Sequence, residues 1–282
     1  MSLLDDFEIS GGEDPIIEVR DLKSITNSCI ISRDEIIDKQ PIAISMGTYK
    51  YKGNEYPIPL GSYGDFSCIV GASKAKKSFL KSLILGSSIG GKANENCYSN
   101  IMGHDLQDKY VLDIDTEQSR YHSKRAFTRI DEITGFEYEN YIGISLRDKN
   151  PKERLEIINY LIMESEYRNN LGLVSIDGAA DLVNNFNDVT ECSEIADNFL
   201  TWTSTSKCHL ITVLHKNFNS SKPVGHLGSF VLKKAETVLS VDVNSDDNEQ
   251  SDVVATHSRN KSIPDFSFRI NYDWLPEIVE GF

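Results

Sequence analysis

Short apolar runs alternate with longer stretches of helical periodicity along most of the chain. Residues 66–70, 110–114, 141–144, 171–176 and 209–214 are compact apolar runs of the kind that form buried strands. Residues 77–85, 119–133, 151–167 and 190–204 fall between or after them and carry apolar residues at helical spacing. In the first of these the apolar positions are Phe79, Leu80, Ile84 and Leu85. In the third they are Leu155, Ile157, Ile158, Leu161 and Ile162, behind a start marked by Pro151 and nearby acids. Residues 237–241, 252–257 and 266–270 are three further strand-like runs, close enough together to pair antiparallel. Strands alternating with helices predict an α/β three-layer fold: a mostly parallel central sheet, covered on both faces, with antiparallel C-terminal strands.

Upstream the pattern is weaker. Residues 41–65 hold Gly47, Gly53, Pro57, Pro59, Gly61 and Gly64 and predict turns and short strands leading inward. Residues 1–40 mix acids with short apolar pieces and read as an acidic arm or small subdomain, with residues 41–282 as the core domain. The net charge of −14 is uneven. Ten acids and four bases lie in residues 1–40, and five acids with no base lie between Asp242 and Asp252. The remainder is nearly balanced, so local basic loops can still meet phosphate. Five cysteines without a CxxC argue against a disulfide scaffold or zinc cluster and fit a cytoplasmic setting. No apolar run approaches the ~20 residues that span a bilayer, and no membrane partner is expected.

The segment after the first core strand carries the chemistry. Gly71, Ala72, Ser73, Lys74, Ala75, Lys76, Lys77 and Ser78 match G-x-x-x-x-G-K-[ST] at every position but one, where Lys76 replaces the second glycine. A strand precedes this loop and a helix-like stretch, Lys77–Leu85, follows; Phe79 closes the segment expected to bind nucleotide. Successive backbone N–H groups and a helix N-terminus bind phosphate oxygens. Lys77 is then expected on the β- and γ-phosphates of ATP, and the Ser78 hydroxyl on Mg²⁺. Lys74 and Lys81 add to the cationic character of the segment.

Such a loop calls for an aspartate at the end of a later apolar strand, and Asp177 supplies it as a second group for Mg²⁺. The strand at 110–114 runs into Asp113, Asp115 and Glu117. Glu117 is the preferred residue for activating water, with Asp115 as the fallback and Asp113 facing elsewhere. His215 ends the strand at 209–214, where a polar group can sense the γ-phosphate. Lys216, Asn217, Asn219 and Lys222 make the next connection polar and basic, and Gly225–Ser229 reads as a glycine-rich loop leading into a short helix. Arg259 and Lys261 follow the strand at 252–257, placed to reach a neighbouring subunit's nucleotide.

In this order the elements resemble the RecA/DnaB-like P-loop ATPases, and within them RepA-type hexameric helicases and related ATPases of mobile elements and phages. The resemblance spans roughly residues 41–275. Gly71–Ser78 looks like the Walker A motif and Asp177 like the Walker B aspartate. Glu117 matches the catalytic glutamate at the end of the second core strand, and Gly178 after Asp177 speaks against the other common placement. His215 is similar to the strand-end γ-phosphate sensor. His257-Ser-Arg259-Asn260 resembles the Lys-x-Arg-Asn of replicative helicases, which implies Arg259 as a finger acting in trans. The departures are Lys76 for glycine and His257 for lysine.

The resemblance implies a RecA-like fold and a homo-oligomer, a hexameric ring or filament, with ATP at subunit interfaces and single-stranded DNA at the centre. Two loops, roughly residues 179–190 and 216–227, would face that DNA. The first is poor in bases, and Phe186 and Phe218 are the only aromatics the two loops offer for stacking. A nucleotide-dependent assembly or regulatory switch acting on protein partners is therefore the alternative. A recombinase filament would need an apolar linking strand upstream of the core, for which Cys29-Ile30-Ile31 is a poor candidate.

Overall fold

The computed structural model describes residues 21–91, 100–216 and 225–279. The chain forms two units, residues 1–39 and Gln40–Phe282. In the first, α1 (Leu22–Cys29) is capped by Asp21, whose side chain accepts from the Ser24 N–H, and it buries no residue.

The second unit is built on a nine-stranded sheet. Its strands are β3 (Phe66–Gly71), β5 (Tyr110–Asp115), β6 (Tyr141–Ser145), β7 (Leu171–Asp177), β8 (His209–His215), β9 (Thr237–Val243), β10 (Gln250–Ser258), β11 (Phe266–Ile270) and β12 (Pro276–Val279). Their order is β12-β11-β10-β9-β3-β8-β7-β5-β6. From β9 to β6 every neighbouring pair is parallel; from β9 to β12 every pair is antiparallel. The expected mix of a parallel centre and antiparallel C-terminal strands is what forms.

Alternation along the strands sorts the core to two sides. Phe66, Cys68 and Val70 of β3 pack with Leu112, Ile114, Val174 and Ile176 under α4 (Pro151–Met163), α5 (Val189–Ser206) and α6 (Gly225–Lys234). Ile69, Val111, Leu173 and Val241 face α2 (Lys77–Ile89) and α3 (Arg120–Thr134). That second side has an additional cover. β1 (Ile42–Tyr51), β2 (Asn54–Ser62) and β4 (Ile101–Gly103) form a separate three-stranded sheet in the order β2-β1-β4. Its Ala43, Ile44, Met46, Ile58 and Leu60 pack against α2 and the antiparallel strands.

Three sequence expectations change. Residues 41–65 form two long strands, not short ones among turns. Pro57 and Pro59 sit on β2, an edge strand where a missing N–H costs no ladder bond. The helix expected over 151–167 ends at Met163; its start is held by a capping box between Asn150 and Glu153. Gly225–Ser229 is not a loop but the first half of α6, where burial of Leu227, Gly228 and Val231 outweighs the helix cost of glycine. The connection at residues 217–224, with Asn217, Phe218, Asn219 and Lys222, lies outside the described residues. No helix among the described residues is long and apolar enough to cross a membrane.

Candidate functional site

β3 ends at Gly71, between β8 and β9, and the chain then turns into α2. Gly71 has no room for a side chain: a Cβ would lie 2.6 Å from the Val241 carbonyl oxygen. Lys74 and Lys76 both take left-handed backbone, with φ of 67° and 63°. Lys76 thus keeps the conformation that its position demands, even without glycine's freedom. Its amine points out of the loop, donating to the carbonyls of Asn248 (3.1 Å) and Glu249 (2.9 Å) in the β9–β10 turn. Ala75 is buried beneath this contact, and its carbonyl accepts from the Ser251 hydroxyl.

Lys77 opens α2. Its amine donates to the carbonyls of Gly71 (3.0 Å) and Ala72 (2.8 Å) and lies 3.2 Å from Nδ1 of His215. Burial holds its pKa below the ordinary lysine value, against the pull of Asp177 and Glu117. The Ser78 hydroxyl donates to Asp177 Oδ2 at 2.8 Å. Glu117 Oε2 lies 3.3 Å from His215 Nε2, and this bond, with help from Lys77, holds the glutamate below its usual pKa. His215 therefore bridges the loop lysine and the glutamate. A protonated Lys77 can only donate, so Nδ1 accepts and the ring proton sits on Nε2, facing Glu117.

These side chains enclose one cleft of about 270 Å³, lined by Ser73, Lys74, Lys76, Lys77, Ser78, Phe79, Glu117, Asp177 and His215 together with Gln118, Ala126 and Arg129. It opens at the C-terminal ends of the parallel strands, where open α/β sheets bind ligands. A hydroxyl and a carboxylate in contact, open to a cleft beside a lysine, fit a hard divalent cation; Ser78 and Asp177 would hold Mg²⁺ here.

Sequence reasoning missed Gln118, Ala126 and Arg129. Arg129 lies with Cζ 3.8 Å from the Phe79 ring centroid and donates to the Ser82 hydroxyl. The helix after Glu117 was visible in the sequence; that this face of it turns toward α2 depends on how the two helices cross. Arg154 was missed too. It donates to the carbonyls of Thr116, Leu146, Arg147 and Asp181, tying together the turns that follow β5, β6 and β7.

Several charges read as free are spoken for. Lys81 is fully buried, 2.9 Å from Asp113 and 3.4 Å from Asp177. Burial depresses its pKa, but the two aspartates outweigh that and leave it above the ordinary value. It adds no cationic surface to the loop. Asp115, the fallback for activating water, is buried. It accepts from the N–H groups of Glu117 and Gln118 and from the Ser123 hydroxyl, so it shapes the turn that presents Glu117. Lys216 is paired with Asp242 at 2.7 Å. Asn184 and Asn185 in the first expected DNA-facing loop donate their N–H groups to Glu191.

Arg259 is not with the others. It follows β10 at Ser258, which pairs with Thr237 at the start of β9, whereas Gly71 lies beside Val241 further along that strand. The phosphate loop and Arg259 are thus at opposite ends of the sheet. Its guanidinium bonds to Asp65 (3.0 Å) and the Lys234 carbonyl (2.6 Å). Beside it Asn260 donates to Glu236, which also accepts from the N–H and hydroxyl of Ser62.

No sequence-family model matches this chain, and no curated protein matches it. Among solved structures, a crystal structure of the RadB recombinase matches 77% of this chain and 91% of its own, with a TM-score of 0.51 and 18% identity. The fold is RecA-like. At this identity the likeness speaks for the RecA-like architecture alone; the chemistry rests on the cleft.

Proposed function

We propose that the protein is a Mg²⁺-dependent ATPase that works as an oligomer on single-stranded DNA. The observation that carries this reading is the convergence of Lys77, Ser78, Asp177, Glu117 and His215 on one cleft at the strand ends of a RecA-like sheet. RadB, by its name, is a recombinase, which favours DNA as the substrate of the work done. The translocase or helicase reading drawn from the resemblance is the finer form of the proposal.

With ATP bound, Lys77 exchanges the carbonyls of Gly71 and Ala72 for β- and γ-phosphate oxygens, and the backbone N–H groups of residues 73–78 take the rest. Ser78 and Asp177 would hold Mg²⁺, which would supply positive charge against the negative charge that develops on the phosphates. Glu117 orients a water and takes its proton as the water oxygen bonds to the γ-phosphorus. The bond to the β-phosphate oxygen breaks, releasing ADP and phosphate. His215, touching Lys77 and Glu117 at once, registers loss of the γ-phosphate and passes it to Lys216 and the connection beyond. Arg259 lies at the far end of the strands from its own cleft, which fits the trans role that the resemblance implies: it leaves Asp65 and meets the γ-phosphate of a neighbouring copy.

The test is phosphate release with Mg²⁺ and ATP, with and without single-stranded DNA, at low and moderate salt. Lys77→Ala should abolish it. Glu117→Gln should slow it ~10²–10⁴-fold while retaining nucleotide. Arg259→Ala should slow only the assembled protein. Wild-type release no greater than that of Lys77→Ala would end the ATPase reading. Release that DNA leaves unchanged would favour the switch acting on protein partners, a reading for which the bonded first loop and the Lys216–Asp242 pair already speak.

A further inference from the structure

The hairpin of β1 and β2 carries a surface that ATP chemistry does not use. Its tip is a two-residue turn, Lys52-Gly53, with φ of 50° and 82°. That mirror-image turn matches the twist of the flanking strands and sets the register firmly. Tyr49 and Tyr51, two apart, point to one face of β1. The register puts Tyr56 opposite Tyr49 and Asn54 opposite Tyr51 on that same face, and sends Lys50 and Glu55 to the other.

The Tyr49 and Tyr56 rings stack with centroids 5.7 Å apart and planes 29° off parallel. Lys52 Nζ lies 5.3 Å from the Tyr51 ring centroid. Lys261, from the turn after β10, lies 4.4 Å from that of Tyr49. Tyr51 is 56% exposed and Tyr56 39%. A cross-strand aromatic pair alone would account for Tyr49 and Tyr56 as a stabilising contact. It does not account for an exposed third ring and two lysines from different parts of the chain. Three rings and two cations, with no carboxylate from the hairpin on that face, stand out on a chain of net charge −14.

Flat rings that accept any base, flanked by cations that can meet phosphates, are the chemistry of single-strand binding. We propose that this hairpin face binds single-stranded nucleic acid, with bases stacked on Tyr51 and Tyr56 and phosphates met by Lys52 and Lys261. The inference rests on the nucleic-acid half of the proposed function, and it supplies the contact that the base-poor loop at residues 179–190 does not. An acidic protein segment would satisfy the lysines but make little use of the ring faces.

The experiment is fluorescence anisotropy of a labelled oligothymidylate titrated with the full chain, over a series of salt concentrations. Tyr51→Ala with Tyr56→Ala should weaken binding about tenfold or more. Tyr51→Phe with Tyr56→Phe should bind nearly as the wild type does, because phenylalanine keeps the stacking face. Lys52→Ala with Lys261→Ala should flatten the slope of log affinity against log salt by about 1.4, two contacts at ~0.7 each. Thermal melting of each variant confirms that it folds.

If the wild type binds and the alanine pair binds equally well, this inference falls alone. The same holds if the phenylalanine pair is as weak as the alanine pair. If the wild type does not bind at all, the nucleic-acid half of the proposed function falls with it. Loss of self-association by the alanine pair in the absence of oligonucleotide would assign the face to contact between copies and overturn the proposal.

Discussion

Lys76 shows how one residue can break a motif and keep its shape. Its left-handed backbone costs ~1–2 kcal/mol relative to glycine. The two bonds from its amine to the β9–β10 turn return about 0.5–1.5 kcal/mol each. Lys76→Gly should therefore stay within about 1 kcal/mol of wild type in urea unfolding. Lys76→Ala keeps the backbone cost, loses the bonds, and should fall about 1–2 kcal/mol below Lys76→Gly.

His215 makes a different kind of prediction. Its bond to Glu117 favours the ionised carboxylate and pulls the pKa down. The acid limb of phosphate release against pH should then lie below the ordinary glutamate value. His215→Ala should move it upward, toward that value, in a kcat/KM profile. Lys77, Ser78 and Asp177 were legible in the sequence because motif spacing and strand ends fix where they fall. Lys81 and Lys216 were not. Their partners, Asp113, Asp177 and Asp242, come from other strands, so nothing local marks them as neutralised.

At the level of elements, the core strands were plain because buried parallel strands are continuous apolar runs. β12 was invisible: Pro276–Val279 is short and half polar, and it forms because β11 offers an edge. β1 and β2 were masked by their glycines and prolines. One of these, Gly61, shows what such a residue is for. A Cβ there would lie 2.2 Å from Nε2 of His209, a fully buried ring whose Nδ1 lies 3.0 Å from the Ser62 carbonyl oxygen. Gly61→Ala should destabilise by about 1–3 kcal/mol through overpacking. Adding His209→Ala should cost less than the sum of the two single changes, because the smaller side chain vacates the space that the new methyl needs. A double-mutant cycle in urea reads that coupling directly.

The whole molecule divides unequally. Residues 1–39 form their own unit, and α1 buries nothing. A chain beginning at Gln40 should melt within a few degrees of the full one; a larger fall, seen by circular dichroism, would mean that the first unit supports the core. Within the core, the central strand has the latest partners. β3 is flanked by β8 and β9, and its phosphate loop is braced by the turn before β10. Translation delivers these pieces in a costly order. At ~5–20 residues per second, an apolar strand waits on the order of ten seconds or more after synthesis before residue 209 exists to pair with it. The nucleotide site, although its signature lies in the first third of the chain, is among the last things the nascent protein completes. Until then Phe66, Cys68 and Val70 need shelter from the ribosome, a chaperone or early collapse.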